Sequence, residues 1–465
     1  MEMDNELTGQ VVLPGNQDYD AARTDYNKRF SKFPLAIVFC QQSQDVINAI
    51  KWALRHEVPF RVRSGRHNYE AFSLVNGGII IDVSRLNSVC VDLAKGEAVV
   101  GTGIRLLPLY QALWQEGVTI PCGDCPSVGV GGITLGGGFG MLTRLMGMTC
   151  DNLVALTMVN ADGEIIHANK QINSDLLWAC RGGGGGNFGV LTSYTFKVHQ
   201  ISEVGFFRIT WDWDDAINVM EAWQNWAPFV DNRLTSTLKV YNREANQVIA
   251  DGQFVGSEEE LRHLMQPLLT AAQPIKVDVV TVPFIQAALI NADLLTPDGK
   301  PIKRQEWDKF KNTGAYVYSK LPSEALCTIM KFLQASPSRR NYFEFQALAG
   351  VVKEVPPDAT AYFHRQALFA LQYLALWDDD SAADENIRWV ENFRRAMLDD
   401  VVGDYVNFAD ICIKDWQEAY YGTNLARLKQ VKSKYDPKNI FRFPQSIPLP
   451  GKQGDSCDVL ISIQV

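Results

Sequence analysis

The chain has 465 residues, 46% of them hydrophobic, enough to bury a large core and to divide into more than one packed unit. Its 44 basic residues stand against 53 acidic ones, a net charge of −9 without a long charge run, and this offers no electrostatic footprint for nucleic acid or a membrane surface. The opening MEMDNELTGQ carries Glu2, Asp4 and Glu6 where a secretory leader needs a basic and then an apolar stretch, and no run is long enough for a membrane span, so a soluble, cytoplasmic protein is expected.

Nine cysteines spread over this length do not make a disulfide framework. PLAIVFC at 34–40 reads as a strand, and SQDVINAIKWALRHEV follows with Val46, Ile47, Ile50, Ala53 and Leu54 at helical spacing behind Ser43 as the expected cap. PFRVRSG then reads as a second strand, completing a β-α-β unit; IRLLPLYQALWQEG reads as a helix leading into a strand at VTIPC. From about residue 205 the glycine clusters stop, and VGFFRITWDW and STLKVYNRE alternate as strands around the helical DAINVMEAWQNWAPFV. A helix with Leu425, Leu428 and Val431 on one face ends at Asp436-Pro437. The expected division is 1–204, a central unit over 205–415, and a closing segment over 416–465.

Three motifs invite chemistry. Cys122-x-x-Cys125 has redox spacing, but Pro126 and a glycine run follow it, so no long helix starts there to lower a thiol pKa. A zinc ribbon needs a second such pair, and Cys150 and Cys180 stand alone. Gly184, Gly186 and Gly189 spell GxGxxG, yet Val190, Thr192, Tyr194, Phe196 and Val198 alternate behind them as a strand, where a dinucleotide fingerprint opens a helix. What RSGRHN, GVGGITLGGGFG and GGGGGNFG share is backbone N–H groups unobstructed by side chains, suited to a pyrophosphate or a flat polar ring.

The blocks RSGRHNYEAFSLVNGGIIIDVSRLN, GDCPSVGVGGITLGGGFGMLTRLMGMTCDNL, WACRGGGGGNFGVLTSYTFKV and YYGTNLARLKQVKSKYDPKNIFRFPQSIP resemble, in order, the berberine bridge enzyme-like family of FAD-linked oxidases. The resemblance is dense over 34–200 and 405–448. It implies an α+β, two-domain PCMH/VAO-type flavoprotein: an FAD domain built from both chain ends, and a substrate domain with an antiparallel sheet backed by helices. It also implies FAD attached twice, through the 8α-methyl to His67 and through ring carbon C6 to Cys125. An imidazole nitrogen and a thiolate are nucleophiles suited to an electron-poor ring. Arg63, Ser64, Gly65, Arg66 and Asn68 then line the cofactor, with Arg66 departing from the glycine that many relatives carry. Gly131 and Gly132, Asn187, Gly189 and Val190, and Asn439 join them; Asp151, Asn152 and Phe441 support. Val128 matches the family's oxygen-gating position, where valine accompanies oxidases.

By the same resemblance the base is a tyrosine of a Y-x-N-Y block. Here the block reads Tyr405, Val406, Asn407, Phe408, which leaves Tyr405, whose phenol must be lowered from a pKa of about 10 to act near neutrality. Gln372 falls where berberine bridge enzyme itself has a catalytic glutamate; an amide accepts no proton but can orient a hydroxyl. His364 and Arg365 read as structural. The expected activity is oxidation of a hydroxyl on a carbohydrate or oligosaccharide by hydride transfer to flavin N5, with O2 as acceptor and hydrogen peroxide as product. The alternatives are a tailoring oxidase acting on a secondary-metabolite alcohol or C–H bond, and a flavin-binding protein without turnover.

Overall fold

The computed structural model describes residues 6–303 and 309–452; Glu2 and Asp4 lie outside the described residues. Three large sheets organise the chain. In the first, Gln10–Val12, Ala36–Phe39, Ile79–Asp82 and Phe60–Arg63 lie side by side, the last three parallel. The helix Ser43–Arg55 makes the crossover, burying Val46, Ile50, Trp52 and Ala53 against Ile79 and Ile81. Its cap is Gln42, one residue before the expected Ser43. The Asp45 carboxylate accepts the Gln41 and Gln42 backbone N–H groups at 2.9 and 3.2 Å, so an acid in the first turn does what the serine was expected to do.

The second sheet runs Val89–Asp92, Glu97–Gly101, Val190–Lys197, Leu153–Val159, Ile165–Asn169, all antiparallel. The strand expected at VTIPC shrinks to Val118–Thr119, paired with His199–Gln200, because the chain then turns off to build the Cys125 loop.

The third sheet has seven antiparallel strands, in the order Lys276–Pro283, Glu203–Trp211, Val248–Phe254, Leu234–Tyr241, Tyr342–Ala347, Phe369–Trp377, Lys309–Val317. One face is apolar: Phe207, Ile209, Leu238, Phe343, Phe345 and Leu371 pack under the helices Ala216–Trp226, Ser323–Gln334 and Ala383–Ala396. Because side chains alternate along a strand, the opposite face carries Arg208, Thr237, Lys239, Glu344, Gln346 and Gln372, all on the wall of a cavity. The closing helix Leu425–Tyr435 is tied to the glycine-rich loop by Lys432. Its buried ammonium donates to the Asn187 carbonyl at 2.6 Å, to Asp436 at 2.7 Å and to the Phe441 carbonyl at 2.5 Å.

Candidate active site

Two loops meet at the end of the parallel sheet. The strand Phe60–Arg63 delivers Ser64–Asn68, and the segment after Val118–Thr119 delivers Cys125–Val128 before the short helix Val130–Gly136. They touch backbone to backbone at two glycines. A Cβ on Gly65 would lie 2.0 Å from the Gly129 nitrogen, and one on Gly129 would lie 2.4 Å from the Gly65 nitrogen, so no side chain fits at either. This contact brings the two expected attachment residues onto one hydroxyl. His67 Nε2 lies 2.9 Å from Ser127 Oγ, and Cys125 Sγ lies 3.7 Å from the same oxygen. Stacking on Tyr26, with ring centroids 4.0 Å apart, orients the imidazole. Cys122 is different: it is buried, and burial pushes its thiol up to about 12, far from a thiolate.

Both loops open on one cavity of about 950 Å³, which Gly131, Gly132, Val128 and Gly189 also line. Arg63, Ser64, Gly65, Arg66, Asn68 and Asn187 lie on its wall too, and several of their side chains also bond into the scaffold. The Arg63 side chain is fully buried between Asp25 and Asp82 and donates to the Ala22 carbonyl. Arg66 adopts a left-handed backbone, φ 66°, the conformation a glycine takes without cost, and its guanidinium reaches back to the Ala21 carbonyl at 2.9 Å. Burial and the neighbouring Arg63 lower its pKa to about 10. Ser64 Oγ donates to the Thr102 carbonyl, and Asn68 Oδ1 accepts the Glu70 and Phe72 amides. Asn187 is saturated, donating to the Gly183 and Gly184 carbonyls and accepting the Ile447 N–H, so it latches the closing segment.

Two expectations fail. Val190 does not line the cavity: strand alternation turns it into the core with Val38 and Val159, while Gly189 and Leu191 face the cavity. Asn439 does not line it either. It occupies a left-handed turn, φ 52°, that returns the chain from the closing helix so that Phe441, Arg442 and Phe443 reach the cavity wall.

Tyr405 and Gln372 line the same cavity. Tyr405 caps a 3-10 turn, Val406–Phe408, and its hydroxyl accepts the Gly138 backbone N–H at 2.7 Å and the Asn407 amide at 2.8 Å. Burial pushes its phenol up, while the two N–H bonds favour the phenolate and pull the other way. Phe408 stacks on Tyr69, centroids 5.9 Å apart and planes within 7°, and Gln372 hydrogen-bonds to Tyr69. From Gln372 a polar row crosses the sheet: Gln372 opposite Glu344, and Glu344 opposite Lys239. Burial raises the Glu344 pKa against the pull of Lys239. Asp124 enters from the other wall, its carboxyl pushed up to about 7 by burial and by the charge of Glu344. His364, bonded to Tyr318 at 2.9 Å and to the Ala419 carbonyl, is held neutral by burial, its pKa lowered to about 4, and Arg365 grips Asp151 with two bonds of 2.7 Å. Both are structural, as the sequence reading has them.

Residues 34–169 match the FAD binding domain family and residues 404–448 the family described as berberine and berberine like. An FAD-linked oxidoreductase of Bacillus subtilis, YgaK, is 44% identical over 95% of this chain and 97% of its own. The chain belongs to the berberine bridge enzyme-like family. The solved structure of BBE-like 1 from Physcomitrella patens superposes with a TM-score of 0.90 at 30% identity, covering 96% of this chain and 98% of that one. A chitooligosaccharide oxidase of Gibberella zeae is 29% identical over 95% of this chain and 94% of its own. The protein is therefore an FAD-linked oxidoreductase, and its two-domain flavoprotein fold is that of its relatives. The paired loops, stripped of side chains at Gly65 and Gly129 and open at Gly132, fit a flat ring with an anionic tail.

The sequence reading missed Ser127, Tyr69, Asp124, Glu344 and Lys239. A signal existed for the last two: in STLKVY and YFEFQA one face of a strand is wholly polar, which in a buried sheet marks a wall meant for something other than hydrocarbon.

Proposed function

We propose that this berberine bridge enzyme-like protein is an oxidase carrying FAD on both His67 and Cys125. It oxidises a hydroxyl of a carbohydrate or oligosaccharide and returns the electrons to O2 as hydrogen peroxide. In this reading residues 1–204 and 416–465 hold the flavin and 205–415 shape the substrate site. The observation that carries it is the convergence of His67 and Cys125 on Ser127 at the mouth of a cavity whose far wall is a polar sheet face.

Bound FAD supplies the hydride acceptor. Ser127 sets the spacing of the two attachment atoms. Gln372, Glu344 and Lys239 are cross-strand neighbours and offer a row of donors and acceptors suited to a polyhydroxylated substrate. The Tyr69–Phe408 stack gives a ring face at the reacting end. Tyr405, whose oxygen accepts two N–H donors that favour its phenolate, takes the proton of the reacting hydroxyl. Val128, on the cavity wall, supports O2 as acceptor.

A screen of monosaccharides and oligosaccharides followed by peroxide release tests this; silence with every sugar while a polycyclic alcohol reacts would transfer the assignment to a tailoring oxidase. The Phe408–Tyr69 pair, which presents hydrocarbon where a second tyrosine was a candidate, favours that second reading. Failure of any hydroxyl compound to bleach the flavin anaerobically would leave a flavin-binding protein without turnover.

A further inference from the structure

The strand Phe60–Arg63 and the segment that closes the chain meet at two aromatic rings, and an arginine follows each. Phe60 and Phe441 pack edge to face with centroids 5.5 Å apart, which sets Arg61 beside Arg442, both on the cavity wall. Neither guanidinium has a carboxylate partner among the described residues. Arg61 donates one N–H to the Phe60 carbonyl at 2.9 Å, while its Nε, shut off from solvent, has no hydrogen-bond partner among the described residues. We propose that Arg61 and Arg442 together grip the diphosphate that joins the two halves of FAD.

Two like charges held side by side, one of them with a buried donor left over, are stable only if an anion joins them. The acids that could neutralise them are engaged elsewhere: Asp25 and Asp82 by Arg63, and Glu70 by Arg29 and Lys311. Lys32 is a third cation, near enough that the charge of Arg61 helps burial to lower its pKa. Burial and Arg442 bring Arg61 itself down to about 10, which leaves it cationic at neutral pH. On a chain of net charge −9 this is a local reversal of sign, and an anionic ligand needs one.

The chemistry and the placement both favour a diphosphate. A guanidinium offers a planar fork of N–H groups that matches phosphate oxygens, and two forks match two phosphates. From Arg61 the strand runs about 10 Å to Ser64 and continues into the loop that carries His67, so a cofactor with its ring at His67 and its tail along this strand passes the pair. Arg61 lies in the segment that matches the FAD binding domain family, and Arg442 in the closing segment, where Lys432 and Asp436 hold the Phe441 carbonyl and N–H and so fix the point from which Arg442 extends. The diphosphate would then cross-link the two ends of the chain.

Phosphorus NMR of the flavin-loaded protein reads this contact without turnover. In the parent both diphosphate resonances should be displaced from those of free FAD. Arg61→Gln and Arg442→Gln should each move at least one of them, and Arg61→Lys and Arg442→Lys should move it less. Resonances that neither glutamine variant moves overturn the proposal. Should a variant lose its flavin, competition replaces the spectrum. His67→Ala/Cys125→Ala protein freed of flavin is titrated with FAD, followed by fluorescence, against ADP and against adenosine. ADP should compete better than adenosine, and each glutamine replacement should shrink that advantage by roughly ten-fold or more, the effect of losing a hydrogen bond to a charged group; lysine should restore part of it. The ratio compares two ligands on one protein, so a loss of stability cancels out of it. An unchanged ratio overturns the proposal. So does a pair of glutamine variants that keep the ratio and raise only the KM for an anionic hydroxyl compound, since the arginines would then serve the substrate.

Discussion

Lys432→Met should destabilise the protein severely and loosen its flavin. In the parent the ammonium is wholly buried, satisfies two backbone carbonyls and pairs with Asp436, itself buried and held further by the Ile440 and Phe441 amides at 2.7 and 2.8 Å. Methionine fills the space but leaves a buried carboxylate without its cation, and breaking such a pair costs about 3–5 kcal/mol. With urea slopes of about 1–3 kcal/mol/M, the midpoint should fall by roughly 1 M or more. Because one of the carbonyls belongs to Asn187 in the glycine loop that lines the cavity, the ratio of flavin to protein absorbance should fall as well. The double variant Lys432→Met/Asp436→Asn removes the stranded charge and should recover a good part of the loss. A single variant within about 1 kcal/mol of the parent, by urea unfolding followed by circular dichroism, would refute the idea that this buried pair clamps the two chain ends together.

Gly129→Ala should give protein almost devoid of flavin, read from the visible spectrum, since the added methyl meets the Gly65 backbone and neither main chain can yield cheaply. Ser127→Ala should still bind FAD but attach it more slowly and less completely, as seen in the fraction of colour released by acid, because it removes the hydroxyl shared by His67 and Cys125. Asp404 is fully buried and titrates at about 7, above the usual carboxylate range because of burial. Its folded form holds a proton that the unfolded chain releases near pH 4, so it contributes a loss of stability as pH rises from about 4 to about 7. Asp404→Asn keeps an acceptor for the Tyr405 N–H and should shrink the fall in Tm between pH 5 and pH 8; an unchanged fall would contradict the burial argument.

What could be read from the sequence was what strand and helix periodicity or a dense motif encodes locally. The β-α-β start, the strand behind GGGGGNFG, the alternating strands after residue 205 and the closing helix all rest on neighbours within a few residues. Helix capping was misplaced by one residue because Asp45 reaches back past Ser43. Where a motif dictates backbone shape the expected residues do come together, as His67 and Cys125 do at Ser127. Side-chain direction was not legible, as at Arg63, whose partners Asp25 and Asp82 come from distant segments, and at Val190, which one step of alternation turns into the core. Asp124 and Glu344 were missed because only folding brings the Cys125 loop opposite the strand Tyr342–Ala347. The phenol of Tyr405 shows the same limit: burial and the Gly138 N–H, both products of folding, act on its pKa.

Everything proposed for the site turns on one FAD being held by both His67 and Cys125. Acid precipitation of the purified protein, with the His67→Ala, Cys125→Ala and double variants alongside, tests it most directly. Colour should stay in the pellet for the parent and for each single variant, with altered spectra, and flavin should be released only by the double variant. Flavin in the supernatant of the parent would contradict it.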